Sequence, residues 1–120
     1  MPPHQNPPTP REPVLAVLLP YYNEARFIGD TLRSLLRQRR QPDRIILVDN
    51  ASTDGSEAVC RQVAAEEGYA GEILFLREPR PGKVNTLETG CAHLDGCDIV
   101  ATCDADLHYP PHYLERIVTL

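Results

Sequence analysis

Two aspartates, Asp104 and Asp106, follow the apolar segment 99–103, with only the small Ala105 between them. Along extended chain, residues two apart project the same way, so both carboxylates aim at one point. Two like charges at ~4 Å repel by roughly 4 kcal/mol at an effective dielectric of 20, so leaving both ionised makes sense if a divalent cation joins them. Magnesium and manganese take such oxygen ligands, usually completed by substrate phosphates. Lys83 stands directly after Gly82 at the start of a helical pattern, a place suited to a diphosphate contact. Two other apolar runs end in polar groups: one in Pro20, Tyr21, Tyr22, Asn23 and Glu24, the other in Asp49 and Asn50. Tyr21 and Tyr22 suit the wall of a base pocket.

Several of these residues also have plain structural readings. Glu24 suits the first turn of a helix, where the dipole favours an acid. Asp49 suits a turn, and Asp54 reads as a helix cap rather than a ligand. His108 and His112 read as surface residues near the aspartate pair.

The elements that must position these groups alternate. Apolar runs at 14–19, 44–48, 73–76 and 99–103 have strand length and the continuous character of strands buried on both faces. Between them, a helix is expected over 24–40 with Ile28, Leu32, Leu35 and Leu36 as its stripe. A second helix is expected to open on a capping box of Asp54 and Glu57 and to bury Val59, Val63 and Ala64. A third opens at Gly82 with Val84, Leu87, Cys91 and Leu94 inward, and a fourth, begun by Pro110 or Pro111, carries Leu114, Ile117 and Val118. Such β-α alternation predicts an α/β parallel sheet with right-handed crossovers and helices on both faces. In sheets of this kind ligands bind beyond the carboxyl ends of the strands, where strand order reverses. The acids at three strand ends and the cations Arg77, Arg80 and Lys83 after the third would share that rim.

Composition narrows the partners. The chain has 120 residues, 12 basic and 17 acidic, for a net charge of −5. That fits one domain and offers no broad positive field for a nucleic-acid backbone. Six of the 12 prolines fall within residues 1–13, so an extended, disordered leader is expected there, with the folded part over 14–120. The N-terminus lacks the basic start and apolar core of a secretory signal, and no apolar run approaches the ~20 residues that cross a bilayer, so a cytoplasmic location is expected. Cys60, Cys91, Cys97 and Cys103 lack the two-residue gap of a zinc knuckle and are expected to be buried small apolar residues.

Four segments, Leu19-Pro20-Tyr21-Tyr22-Asn23-Glu24, Val48-Asp49-Asn50-Ala51-Ser52-Thr53-Asp54-Gly55, Gly82-Lys83 and Asp104-Ala105-Asp106, resemble in order and spacing the family 2 glycosyltransferases of the GT-A fold. The resemblance implies a Rossmann-like GT-A domain that transfers a sugar from a nucleotide-diphosphate donor, UDP- or GDP-linked, with inversion. It implies that Pro20, Tyr22 and Glu24 line the nucleoside pocket and that Asp49 bonds the base. Lys83 and Ala105 would lie near the donor, Asp104 would face ribose or metal, and Asp106 would hold Mn2+ or Mg2+ against the diphosphate. The family's acceptor half, with its acidic general base, is not found before Leu120, so the chain is expected to be a truncated, donor-binding half. Residues 104–111 also resemble the polyprenyl-phosphate sugar transferases, which implies a lipid-phosphate acceptor and attachment to a membrane through regions beyond residue 120. A sheet with open edges further suggests a homo-oligomer. The alternative function is a non-catalytic nucleotide-binding or interaction module. A nucleotidyltransferase ranks lower, because the place for its glycine-rich basic loop holds Tyr21-Tyr22-Asn23-Glu24.

Overall fold

A computed structural model describes residues 12–120, so residues 1–11 of the proline-rich leader lie outside the described residues. Eight elements alternate as expected: β1 (Leu15–Tyr21), α1 (Ile28–Leu36), β2 (Arg44–Asp49), α2 (Ser56–Glu67), β3 (Glu72–Arg77), α3 (Lys83–Cys91), β4 (Ile99–Thr102) and α4 (Tyr113–Val118). The four strands are parallel, in the order β3-β2-β1-β4. The chain therefore moves outward from β1 through β2 to β3, then returns to the other side of β1. That reversal lies between β1 and β4.

Side-chain alternation divides the core between the two faces of the sheet. Leu15, Val17 and Leu19 join Ile45 and Leu47 beneath α1, α2 and α4, where Ile28, Leu32, Leu35, Val63 and Leu114 are also buried. Leu18, Ile46 and Val48 face the other way and pack with Leu74, Leu76, Leu87 and Leu94, under α3. Helices thus cover both faces. Among the described residues, no helix is long and apolar enough to cross a membrane.

The boundaries differ from the sequence pattern in ways that have physical causes. β1 continues through Pro20, which pairs in register with Val48. Leu18 turns its carbonyl toward β4, accepting from the Cys103 amide at 2.9 Å. Pro20 has the same parity, but β4 pairing has ended at Thr102, so its missing N–H removes no ladder bond. The first helix begins at Ile28 rather than residue 24, because the preceding turn is bonded to the β2–α2 loop instead. The Glu24 amide donates to Ser56 Oγ at 2.9 Å and the Ala25 amide to Asp54 Oδ2 at 3.0 Å. Half of the expected capping box forms: Asp54 Oδ1 accepts the Ser56 amide at 3.1 Å, but Glu57 does not reach back. Gly55, at φ 84°, is the N-cap residue of α2, while Glu57 pairs with Arg61 at 3.2 Å.

Of the stripe expected on α3 and just beyond it, Leu87 and Leu94 pack on the core but Val84 and Cys91 do not. Val84 is 76% exposed and Cys91 is exposed, whereas Thr86 and Gly90 are buried against the sheet. Small residues one turn apart let the helix approach closely: a Cβ at Gly90 would stand 2.2 Å from Leu18 Cδ1. The cysteine expectation holds for Cys60 and Cys103, which are buried, with thiols pushed up to about 12 and about 11 by desolvation. It fails for exposed Cys91 and half-buried Cys97, which sit on α3 and the following turn, away from both core clusters.

Candidate donor and metal site

The carboxyl ends of β1 and β4 frame a cleft of about 350 Å³ at the reversal in strand order. Pro20, Tyr22, Glu24, Lys83, Asp104, Ala105 and Asp106, expected from sequence, all line it. Tyr21, Asn50 and Thr86 complete the wall. β4 ends at Thr102, so the two aspartates stand in the turn beyond it rather than on extended chain. The alternation persists nonetheless: Ala105 is buried at 7% exposure while Asp104 and Asp106 face outward.

Electrostatics distinguish these groups. Glu24's carboxyl is held above its ordinary range, first by desolvation and then by the charges of Asp106 and Asp54. Asp104 pairs with Lys83, Nζ to Oδ1 at 3.1 Å. Asp106 makes no hydrogen bond or ion pair with any other described residue. The cleft thus presents three carboxylates and one ammonium. Among the described residues, no three His, Cys, Asp or Glu side chains converge into a ready-made cation cage. Two neighbouring aspartates fit a hard divalent ion whose other ligands are water and substrate phosphate.

Asp49 stands apart from this group. It is 2% exposed, accepts the Ser52 amide at 2.8 Å through Oδ1, and receives Arg77 at 3.4 Å through Oδ2. Both its oxygens are engaged behind the wall, and the next residue, Asn50, lines the cleft in its place. Arg77 and Arg80 are likewise engaged away from it, Arg77 with Asp49 and Arg80 with Glu78 and Glu88. His108 lines a second groove, with Arg33 and Arg37, and His112 pairs with Glu115 at 3.0 Å.

The loop carrying the aspartates is held by residues that the apolar pattern did not reveal. Thr31, Ser34 and Gln38 are buried on one side of the first helical segment. Thr31 Oγ1 donates to the Ala105 carbonyl at 2.9 Å. Ser34 Oγ accepts the Tyr109 amide at 3.0 Å, and Gln38 grips both the Pro110 carbonyl, at 2.6 Å, and the Leu114 amide, at 3.0 Å. Tyr109 Oη in turn receives the Asp104 amide at 2.7 Å. The signal was their i, i+3, i+7 spacing, a polar stripe beside the apolar one.

The family model of glycosyl transferase family 2 matches residues 16–120. The chain belongs to glycosyl transferase family 2. Among relatives of this family 2 chain, the undecaprenyl-phosphate 4-deoxy-4-formamido-L-arabinose transferase of Sodalis glossinidius is 33% identical over 107 residues, covering 87% of this chain and 32% of that protein. The enzyme of the same name from Serratia proteamaculans is 35% identical over 112 residues, covering 89% and 34%. A mannosyltransferase from Pyrobaculum calidifontis, solved with GDP-Man and Mn2+, superposes with a TM-score of 0.77 at 32% identity, covering 87% of this chain and 31% of that one. S. aureus TarS, solved with UDP, shares the fold at a TM-score of 0.71 and 20% identity, covering 88% and 31%. The family 2 chain therefore has the GT-A architecture and spans about a third of the length of these relatives.

Proposed function

We propose that this chain binds the donor in a metal-dependent, inverting glycosyltransferase that uses a nucleotide-diphosphate sugar. The observation that carries this reading is the convergence of Glu24, Lys83, Asp104 and Asp106 in one cleft at the strand-order reversal. Tyr22, 58% exposed on the wall, offers a face on which a base can stack, with Pro20 and Asn50 beside it. Asp104 and Asp106 would hold Mn2+ or Mg2+, and Lys83 would meet the diphosphate. A divalent ion bound there would stabilise the charge that develops on the leaving diphosphate as the sugar departs. The mannosyltransferase complexed with GDP-Man and Mn2+ supports this assignment at 32% identity. Burial of Ala105 between the two aspartates sets both carboxylates outward before any ligand arrives, which reduces the ordering cost of binding.

For the acceptor we propose a polyprenyl phosphate, so that the site works at a membrane surface. The names of the two bacterial relatives support this, together with the resemblance over residues 104–111. No residue of this chain is assigned the general base that activates an acceptor.

Calorimetric titration with UDP, GDP and their sugars, with and without Mn2+, tests the donor reading. Metal-dependent binding of at least one nucleotide is expected. Absence of binding to all of them would sink the proposal.

A further inference from the structure

Lys83 is the sole lysine among 12 basic residues, and among the described residues it is the one cation lining the donor cleft. We propose that Lys83 is the resident counter-ion of Asp104 in the ligand-free protein, and that its competition with a metal ion for Asp104 is relieved when it transfers to the donor diphosphate, so that metal and nucleotide bind cooperatively. This inference rests on the donor-binding reading above and adds a coupling between its two ligands.

Three observations carry it. The first is that the pair spans the cleft, joining the first residue of α3 to the turn after β4 at 3.1 Å. Its ammonium thus sits on an oxygen that a divalent ion would take. The second is that the pair can be broken. The two side chains are 59% and 56% exposed, and ion pairs in that setting are weak. A divalent ion offered to Asp104 can displace a monovalent one, provided that the ammonium finds another partner.

The third observation is that both ends are anchored, leaving only the lysine arm to move. Asn50 Nδ2 donates to the carbonyls of Glu78 and Arg80 at 2.8 and 2.7 Å, and its Oδ1 accepts the Gly82 amide at 3.0 Å. The Lys83 carbonyl is bonded by Thr86 Oγ1 at 2.6 Å. Opposite, the Asp104 amide is tied to Tyr109. A four-carbon stem that ends in a rotatable ammonium can swing from a fixed base. Metal arriving alone evicts Lys83 into a cleft whose other carboxylates, among the described residues, are Asp106, which would hold the same ion, and Glu24. Nucleotide diphosphate arriving with the metal provides the missing partner. Each ligand therefore strengthens the other, and by linkage the coupling is reciprocal.

The test measures Mn2+ binding to the full chain from the electron paramagnetic resonance of free Mn2+, with and without saturating UDP or GDP. Lys83→Met should bind Mn2+ alone about twofold to fivefold more tightly than wild type, the range expected for an exposed pair. The same variant should lose at least that factor from the enhancement of Mn2+ affinity by nucleotide. Lys83→Arg, which keeps charge and reach, should retain most of the wild-type coupling. Arg80→Met removes an equal charge nearby without touching Asp104 and should leave Mn2+ affinity unchanged. Circular dichroism checks that each variant folds, and Lys83→Gln replaces Lys83→Met if the latter does not. Unchanged or weaker Mn2+ binding in the neutral variant, or an equal gain in Arg80→Met, overturns the inference. If wild type shows no metal-dependent nucleotide binding at all, the donor reading fails and the coupling with it. If wild type shows it but the neutral variant behaves as wild type, only the coupling fails.

Discussion

Thr31→Val isolates the tie between α1 and the aspartate turn. Thr31 is 1% exposed, and its hydroxyl donates to the Ala105 carbonyl at 2.9 Å across 74 residues of sequence. Its other contact, the Phe27 carbonyl at 3.2 Å, is a local one inside the helix turn. Valine keeps the branched shape and has a similar helix propensity, so the substitution chiefly removes the donor. A buried carbonyl left without its partner costs about 1–3 kcal/mol. For a chain of this size, that cost corresponds to a melting point lower by roughly 4–10 °C. Because Ala105 lies between Asp104 and Asp106, the loosened turn must be ordered again when ligand binds. If half of a cost near 1.4–2 kcal/mol is met at that step, metal-dependent nucleotide affinity falls roughly threefold to fivefold. Thermal melting followed by calorimetric titration with UDP or GDP and Mn2+ reads both quantities. A melting point within about 1 °C of wild type would show that the hydrogen bond does not stabilise the fold as argued. A lower melting point with unchanged affinity would refute the claim that α1 positions the site.

Three further outcomes are expected. Asp106→Ala should abolish the Mn2+ dependence of nucleotide binding without lowering the melting point, since Asp106 makes no hydrogen bond or ion pair with another described residue; binding that still responds to Mn2+ places the metal elsewhere. Gly90→Ala should destabilise by about 1–2 kcal/mol by chemical denaturation, as overpacking against buried Leu18 at 2.2 Å outweighs the roughly 1 kcal/mol gain in helix propensity. Glu78's carboxyl lies below its ordinary value of 4.5, chiefly through its hydrogen bond with Arg80 and with help from Thr89. A lowered carboxylate binds fewer protons folded than unfolded, so its stabilisation is present above pH 4.5 and is lost as pH falls through the lowered value. Glu78→Gln should flatten that acid limb in melts compared between about pH 6 and pH 3, and an unaltered limb counts against the pairing.

The parts of this molecule that could be read from sequence are those governed by short-range rules. Continuous apolar runs along β1 and β2 announce strands buried on both faces, and the polar residues that end them must lie on the carboxyl rim because parallel strands share one direction. That reasoning correctly brought Pro20, Tyr22, Glu24, Lys83 and both aspartates to one cleft. Asp49 does not line that cleft, because a strand-end carboxylate can turn inward as easily as outward. Here a salt bridge to Arg77 and the Ser52 amide satisfy it behind the wall. Asp54 does accept the first amide of α2, from Ser56 at 3.1 Å, but its second oxygen takes the Ala25 amide, a partner on another loop that the sequence does not announce.

The same distinction explains why the supports of the site were harder to see than the site itself. Thr31, Ser34 and Gln38 bond to Ala105, Tyr109, Pro110 and Leu114, all more than 70 residues away. On the sequence they are only the polar flank of an amphipathic helix, which ordinarily faces water. Their burial follows from topology. Once β4 returns beside β1, the turn beyond it must cross over α1, and its backbone groups leave water on that polar face. An apolar face would have left the Ala105 carbonyl and the Tyr109 amide unpaired at a cost of about 1–3 kcal/mol each. The polar stripe of α1 is therefore as necessary to the two aspartates as the strand that delivers them.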